Sequence, residues 1–410
     1  MPHADGPKLL LTGATGYVGG TVLHHLINSP NPGLKDVTIS LLVRGEDRAQ
    51  MLEETYGKRV ECILFNDLDD TDLVRSVASQ HDIIVNAASG FHPSSAEAMV
   101  RGLAERKKAK EEAVAAAAAA AAGGGQASAT VWMIHTSGCS NISDSPITGE
   151  PFPDREWRDA EAGAVYEFER AENARAWAPQ RAAELAVLAA GEELGVGATS
   201  LQAPLLFGGG EGLFRRAGVL VPLMTAYVLR RGHGFCLGGA AATAVIDWVH
   251  VFDLADLYVR CVVEVLERGG AGLPSGRRGI VFPTAGRTLI RDLARRCVEA
   301  ARAAGLLEEE GEEEEAAVRT VDLAEAATTC GGDTAAAERR WAGHRKTVGT
   351  VARERLGWRP VMGDKAWRAD FEDELQAALA GRRGVAIDDS RAPARGGRSA
   401  IRVSNTITVE

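Results

Sequence analysis

Three glycines near the N-terminus have the spacing of a phosphate-binding turn. Gly13, Gly16 and Gly19 follow an apolar stretch and open a segment whose apolar residues have helical spacing. Glycine permits a tight turn, lets the backbone approach a ligand, and lets a helix pack closely on a strand. The N-terminus of the helix then offers free N–H groups and partial positive charge to a diphosphate. We predict a bound dinucleotide here, contacted by Gly13, Thr15, Gly16, Tyr17, Val18 and Gly19.

An arginine follows the second predicted strand, at the place where a carboxylate often binds the ribose of NAD. Arg44 stands there, and the first acidic residue is Glu46. A guanidinium offers a charge-assisted, bidentate fork to phosphate oxygens, so Arg44, with or without Arg48, favours the 2′-phosphate of NADP. An arginine that simply ends a strand in solvent would leave NAD equally possible.

The elements that position these residues are repeated βα units. Short β-branched runs alternate with helical segments, which predicts an α/β fold with a doubly wound parallel sheet covered on both faces. At 410 residues and 45% hydrophobic composition, the chain is expected to add a second, smaller C-terminal lobe that binds substrate. The predicted strands are Lys8–Thr12, Val37–Val43, Val60–Phe65, Ile83–Ala87, Thr130–Thr136 and Ala198–Gln202.

An alanine-rich stretch and the composition of the tail help to set the predicted boundaries. The nucleotide-binding domain is assigned to residues 1–204, with an alanine-rich insertion at about 105–127 that extends a helix. The second lobe is assigned to residues 205–380, with 245–285 partly returning to the first domain. A tail rich in Gly, Arg, Ser and Pro, residues 381–410, is predicted to be disordered.

The charge and cysteine content argue against several classes of protein. An excess of 56 acidic over 46 basic residues gives a net charge of −10, which repels nucleic acids and anionic membranes. The six cysteines form no C-x-x-C pair and have no histidines at metal-ligand spacing, so we expect reduced thiols and no metal site. No apolar run reaches the roughly 20 residues of a membrane span, and a strand beginning at Lys8 leaves no room for a signal peptide. The expected compartment is the cytoplasm.

The pattern G-x-x-G-x-x-G resembles the extended and atypical branches of the short-chain dehydrogenase/reductase superfamily, whose members share the Rossmann fold. Similar segments follow at residues 66–70, 86–89, 247–256 and 356–360, so the resemblance covers residues 8 to about 378. It implies that Asp67 accepts a hydrogen bond from the adenine, although an acidic turn is also a common helix N-cap. The further cofactor contacts that it implies are Leu68, Ala87, Ala88, Ser89 and Pro204.

The catalytic residues of that superfamily are only partly present. Its members use a Ser or Thr, a Tyr and a Lys four residues after the Tyr, and the Tyr is the general acid or base. Ser137 ends the fifth predicted strand, but the Tyr and Lys are missing from residues 177–181. Tyr166 with Arg170 is one replacement and Arg181 is a substitute for the lysine. The alternatives are a loop-capping Ser137, a Tyr166 that only packs, and an Arg181 that faces solvent.

The resemblance implies an NAD(P)-dependent oxidoreductase that transfers a hydride between NADP(H) and an aldehyde, ketone or alcohol. Apolar residues near the expected crevice, Phe235, Cys236 and Leu237, suggest a moderately apolar substrate. One alternative is a non-catalytic NAD(P) sensor resembling regulators of nitrogen-metabolite repression, which also lack the Tyr/Lys pair. A second alternative is a nucleotide-sugar epimerase or dehydratase, which the missing pair disfavours. The oligomeric state is expected to be a monomer or a homodimer.

Overall fold

A parallel sheet forms the first unit of the computed structural model, which describes residues 6–35, 37–121, 130–307 and 317–380. Within these residues, seven strands pair in parallel in the order β11-β7-β5-β4-β1-β2-β3. The predicted α/β class is confirmed, and the six predicted strands match within two residues at each end. The strands are β1 (Lys8–Thr12), β2 (Thr38–Val43), β3 (Val60–Leu64), β4 (Ile83–Asn86), β5 (Trp132–Gly138), β7 (Gly197–Ala203) and β11 (Ile280–Val281).

Helices cover both faces of this sheet because its strands are apolar on both sides. In β1, Leu9 and Leu11 point into one core while Leu10 points into the other, and all three are fully buried. The first core lies under α1 and α8, and the second under α3, α4 and α6. The helices are α1 (Tyr17–Asn28), α2 (Glu46–Tyr56), α3 (Thr71–Ala78), α4 (Pro93–Ala121), α5 (Ala162–Arg175), α6 (Pro179–Leu194) and α8 (Val251–Arg268).

The alanine-rich segment continues a helix. α4 runs without interruption from Pro93 to Ala121, and Glu97 pairs with Arg101 one turn later at 2.6 Å. Alanine has the highest intrinsic helix propensity, which explains how so long an element persists beyond the sheet it covers. The part of the predicted insertion after Ala121, and the predicted disordered tail, lie outside the described residues.

A second unit packs around its own core. Its strands are β8 (Leu205–Phe207), β9 (Gly234–Leu237), β10 (Val245–His250), β12 (Gly286–Leu289) and β13 (Val318–Val321), and its helices are α7 (Leu220–Arg231), α9 (Ile290–Ala303), α10 (Leu323–Ala327), α11 (Thr334–Trp341) and α13 (Asp364–Leu379). Phe235, Cys236 and Leu237 are at most 3% exposed inside this core. They therefore do not support the expectation of an apolar substrate, because β9 points them into the core and not toward a crevice.

The chain crosses between the two units more than once. After β10, helix α8 packs on α1 and β11 adds the last strand of the large sheet. Strands β6 (Glu156–Arg158) and β14 (Lys346–Val348) form a separate parallel pair. Helix α12 (Val351–Arg355) follows β14 in the chain. The division at residue 204 therefore stays a proposal. Among the described helices, none has the length and apolar composition to cross a membrane.

Candidate functional site

The glycine turn lies between β1 and α1, next to β4, where the strand order of the large sheet reverses. Gly13 has φ +80°, and a Cβ there would lie 2.5 Å from the carbonyl oxygen of Ala87. A Cβ on Gly19 would lie 2.2 Å from the carbonyl oxygen of Gly13. Both contacts are too short for any other residue, so the turn needs glycine at these positions.

The N-terminus of α1 is shaped to receive an anion. Gly16 precedes the helix, and the described residues provide neither a side-chain cap there nor an acidic residue in the first turn. The first amides of a helix have no intrahelical partner, and its dipole favours negative charge at this end. A dinucleotide pyrophosphate fits this cradle, which Thr15, Gly16, Tyr17 and Val18 surround.

A buried hydrogen-bond chain fixes the strands beneath the turn. The Thr12 hydroxyl donates to Asn86 Oδ1 at 2.7 Å and accepts from the Ala88 amide at 3.2 Å. Asn86 Nδ2 also bonds His135 Nδ1 at 3.1 Å. Burial lowers the pKa of His135 to about 4, so the ring is neutral and can accept this bond. The segment Ala87, Ala88 and Ser89 is thereby held beside the glycine turn.

The residues assigned to the adenosine end lie at the surface. Arg44 and Arg48 are exposed, and neither forms an ion pair with a carboxylate in the described part of the chain. Asp70 caps α3 by accepting from the Leu73 amide at 3.1 Å, which supplies the N-cap considered for this acidic turn. Asp67 remains exposed and accepts from the Asp69 amide at 3.1 Å, while Leu68 is half-buried.

Ser137 faces the layer of α5 and α6. Its hydroxyl is buried, donates to Glu184 Oε2 at 2.9 Å and accepts from Asn141 Nδ2 at 3.0 Å. Gln202 Nε2 donates to the same Glu184 oxygen at 2.8 Å and to Glu169 Oε1 at 2.5 Å. Burial, and then the charge of Glu184, raise the pKa of Glu169 well above its usual range. Ser137 therefore belongs to a buried polar network.

Arg181 lies close to this network, and each of its three guanidinium nitrogens donates a hydrogen bond. It is 5% exposed, and its Nε and Nη2 donate to the Asn141 carbonyl at 3.1 and 3.0 Å. Its Nη1 donates to the Ala176 carbonyl at 3.2 Å. The guanidinium thus ties the start of α6 to the turn after β5, with Asn141 as the link to Ser137.

The described contacts of Tyr166 and Arg170 are with residues other than Ser137. Tyr166 is buried, and the Arg277 guanidinium lies 5.9 Å from its ring centroid. Arg277 also bonds Glu192, near the end of α6, about two turns beyond the glutamate that holds Ser137. Arg170 is exposed and pairs with Glu167 at 2.6 Å. Burial raises the pKa of Tyr166, which makes its hydroxyl a poorer source of protons.

A different set of residues meets at the crevice edge of the sheet. The Ser140 hydroxyl donates to Gln180 Oε1 at 2.5 Å. A Cβ on Gly138 would lie 2.8 Å from Gln180 Nε2, and one on Gly90 would lie 3.8 Å from the same atom. The Gln180 amide nitrogen therefore lies between the segment after β4 and the end of β5. The sequence analysis did not predict Gln180, because it looked for a cation to replace the missing lysine and assigned Arg181, the next residue. Pro179 marks the start of α6 and was the one local signal near Gln180.

A loop from the second unit covers the outer side of α1. Pro204 is buried at the junction of β7 and β8. The loop begins at Gly208, directly after β8. The Tyr17 hydroxyl donates to the Gly208 carbonyl at 2.5 Å, and a Cβ on Gly20 would lie 2.9 Å from Gly212 Cα. Asp370 Oδ1 accepts from the Gly208 amide at 3.0 Å. The glycine turn and the second unit are thus joined through Tyr17.

Residues 9–271 match the model of the NAD dependent epimerase/dehydratase family, from β1 through α8. The chain belongs to this family. Oxidase ucsJ from Acremonium sp. is 25% identical to this chain over 371 residues. The similarity covers 86% of this chain and 93% of the oxidase. The family's Rossmann architecture, a parallel sheet covered by helices, is the one seen here.

Two solved structures show the same fold as this family member at low identity. DesIV, a dTDP-glucose 4,6-dehydratase from Streptomyces venezuelae with NAD and TYD bound, is 15% identical with a TM-score of 0.54. That similarity covers 92% of this chain and 98% of DesIV. The dTDP-glucose 4,6-dehydratase from Bacillus anthracis in complex with NAD is 12% identical, with a TM-score of 0.51. That similarity covers 90% of this chain and 96% of the dehydratase chain.

Proposed function

We propose that the protein is an NAD(P)-dependent oxidoreductase of the extended short-chain dehydrogenase/reductase type that prefers NADP(H). The observation that carries the proposal is the glycine turn at the switch point, where Gly13 and Gly19 exclude a Cβ and α1 presents uncapped amides. Family membership and the name of the oxidase relative support a redox reaction. The substrate is then a small carbonyl compound or alcohol.

The cofactor contacts follow the order of the sheet. In this proposal the pyrophosphate lies on residues 13–19 and the 2′-phosphate on Arg44, whose exposed guanidinium has no ion pair within the described residues. Asp67 and Leu68 contact the adenine, and Ala87, Ala88 and Ser89 line the riboses. Pro204 lies toward the nicotinamide end. NAD remains the alternative cofactor if Arg44 only faces solvent.

The chemistry at the crevice depends on hydrogen bonds from neutral groups. Bound NADPH would supply the hydride for reduction of a carbonyl carbon. Gln180 Nε2 is a donor that can hold the substrate oxygen at this edge, and the Ser140 hydroxyl orients that amide by donating to Gln180 Oε1. Neither group releases a proton near neutral pH, so the proton that completes the alcohol comes from water or from the substrate. In this proposal, Gln180 and Ser140 replace the roles first assigned to Ser137, Tyr166, Arg170 and Arg181.

The second candidate is a dinucleotide sensor without turnover. It is favoured by the engagement of Ser137 and Arg181 in internal hydrogen bonds and by the burial of Tyr166 away from the crevice. A sensor needs only the glycine turn and a conformational response to the bound nucleotide.

Calorimetry combined with an activity panel separates the candidates. We expect NADPH to bind the purified protein, and NADPH oxidation to occur with at least one member of a panel of aldehydes and ketones. Gln180→Ala is expected to lower kcat at least tenfold, and Tyr166→Phe is expected to leave it unchanged. Tight NADPH binding without turnover of any panel member would favour the sensor. Absence of binding of all four nicotinamide nucleotides would overturn both candidates.

A further inference from the structure

Two half-buried arginines of the second unit lie beside the turn that follows β5. Two buried arginines lie behind them. Arg339 and Arg340 end α11, while Arg345 and Arg181 lie behind them. We propose that Arg339 and Arg340 bind an anionic group of the substrate, a carboxylate or a phosphate, next to the crevice. We call Arg339, Arg340 and Arg345 the arginine cluster. This inference rests on the proposed function, because it assigns a substrate class to the same crevice.

Hydrogen bonds from the first unit fix the position of α11. Glu338 Oε1 accepts from the amides of Ile147 and Thr148 at 2.7 and 2.9 Å. Three residues after α11, His344 bonds Asp144 through its amide at 2.6 Å and through Nδ1 at 2.9 Å. Residues 144–148 begin four residues after Ser140, whose hydroxyl donates to Gln180 Oε1. The arginine cluster is therefore attached to the same segment that carries the crevice edge.

The positive charge of the cluster has no ion-pair partner in the described part of the chain. No carboxylate there lies within 4.0 Å of Arg339, Arg340 or Arg345, whereas Arg287 has two such partners. The nearby carboxylates are already engaged by other donors. Asp144 is bonded to His344, Glu338 to residues 147–148, and Asp247 to Arg287 and Thr347. Asp333 and Glu338 offset part of the charge of Arg339 at longer range, and a bound anion would supply the direct pairing that the cluster lacks.

Burial makes this lack of partners costly. Arg345 is 5% exposed, its Nη2 donates to the Arg340 carbonyl at 2.8 Å, and its Nε is buried without a hydrogen-bond partner among the described residues. Among the described residues, Arg340 Nη1 donates to Cys330 Sγ alone, at 3.4 Å. Desolvation lowers the pKa of Arg345 to about 10 and also lowers that of Arg339. Removing a cation from water is unfavourable unless it is paired, so an anion bound here would offset a cost already present.

The chemistry of the donors defines the ligand class. Guanidinium groups present N–H donors in a planar fork that matches the oxygens of a carboxylate or phosphate. Arg181 lies close enough for the charge of Arg339 to contribute, after burial, to lowering its pKa, so the two units both add positive charge here. A substrate with an acidic group and a carbonyl would be held at one end by the cluster and at the other by Gln180.

The binding test uses protein saturated with NADPH, so that the glycine turn is occupied and cannot bind the probe. Malonate and inorganic phosphate are titrated separately by calorimetry. We expect at least one of them to bind the wild type, and Arg339→Gln and Arg340→Gln each to weaken that binding about tenfold, as loss of a charge-assisted hydrogen bond predicts. Lysine replacements, which keep the charge, should retain part of the affinity. The control Arg101→Gln, on α4, should bind like the wild type.

Two outcomes would overturn the inference. One is that the wild type binds neither probe, and the other is that the Arg339→Gln/Arg340→Gln variant binds both as the wild type does. NADPH affinity is measured for every variant and should not change. If NADPH itself does not bind, the proposed function fails. The arginine cluster is still tested in that case, by comparing malonate and phosphate affinity of the wild type and the double variant in the absence of nucleotide.

Discussion

The glycine turn at β1 and the start of α6 meet at the same edge of the sheet but are built differently. The turn is made of backbone, and its essential property is the absence of Cβ atoms at Gly13 and Gly19. The start of α6 depends on side chains, and most of its polar groups bond one another: Ser137 with Glu184, Arg181 with Asn141, and Ser140 with Gln180. Backbone geometry can thus indicate a candidate ligand site while the nearby side chains leave the chemistry open.

The difference concerns how far each region depends on the rest of the fold. A turn with positive φ and two close backbone contacts is specified by residues adjacent in the sequence. The function of a serine or arginine depends on which layer it faces, and that is decided by strand register and by residues from distant segments. The experiments below would break or sharpen this contrast.

The largest effect is expected from Gly13→Ala. The new Cβ would lie 2.5 Å from the Ala87 carbonyl oxygen at a φ of +80°, so the turn must open. Strain of this kind costs about 1–3 kcal/mol before the clash is counted, and we expect NADPH affinity to fall at least ~100-fold by calorimetry. Gly232→Ala is the matched control, since Gly232 has φ +78° but no described atom within 4 Å of its added Cβ. Unchanged NADPH binding in Gly13→Ala would refute the backbone site.

Arg44→Ser comes next, because it tests the one side chain on which the NADP preference depends. Loss of a charge-assisted contact of about 1.5–3 kcal/mol predicts a decrease of roughly 10- to 100-fold in NADPH affinity. NADH lacks the 2′-phosphate and serves as the internal control, so its affinity should stay the same. Equal effects on the two nucleotides, or none on either, would show that Arg44 does not read the phosphate.

Ser137→Ala and Gln180→Ala should have opposite consequences. Ser137 is buried between Glu184 and Asn141, so its loss is expected to lower the free energy of unfolding by about 1–3 kcal/mol with little change in kcat. Gln180→Ala, at the crevice edge, should leave stability nearly unchanged and reduce kcat. Denaturant unfolding and steady-state kinetics on both variants provide the comparison. The reverse pattern would return Ser137 to the catalytic role that its sequence position suggested.

Much of the fold could be predicted from the sequence because its signals are local. Apolar runs and their spacing predicted the six strands and the doubly wound class, and the glycine spacing predicted the turn that opens α1. The direction of Ser137 could not be predicted in the same way. β5 extends to Gly138, two residues beyond its predicted end, and pairs Ser137 with Gln202. Successive residues of a strand face opposite layers, so Ser137 points to α6 while Thr136 points to Tyr258 on α8.

The roles of Tyr166 and Gln180 also depend on tertiary packing. Y-x-x-x-R on α5 has a plausible spacing, but helix α5 turns Tyr166 toward Arg277 and leaves Arg170 in solvent. Gln180 has no distinctive motif, and only the approach of Gly90 and Gly138 to its amide shows that it lies at the crevice. A search of the sequence for proton-transfer residues cannot find a neutral donor of this kind.

The smallest effect on NADPH affinity is expected from Asp370→Asn, which tests how far the glycine turn depends on the second unit. Burial, followed by the charge of Glu374, raises the pKa of Asp370 to about 8, and its Oδ2 is buried without a hydrogen-bond partner among the described residues. An unfolded aspartate titrates near pH 4. Between about pH 4 and pH 8 the unfolded chain has released this proton and the folded protein retains it, so the contribution to stability falls as pH rises through that window.

The asparagine variant keeps an acceptor for the Gly208 amide but cannot ionise. Denaturant unfolding at several pH values should therefore show Asp370→Asn gaining about 4 kcal/mol of stability relative to the wild type between pH 5 and pH 8. A stability difference that does not vary with pH would exclude titration of Asp370 as its cause. NADPH affinity should stay within about twofold, well under 1 kcal/mol, because the glycine turn is specified by its own backbone. A large loss of affinity would instead mean that the contact between Gly208 and Tyr17 holds the turn in its binding shape.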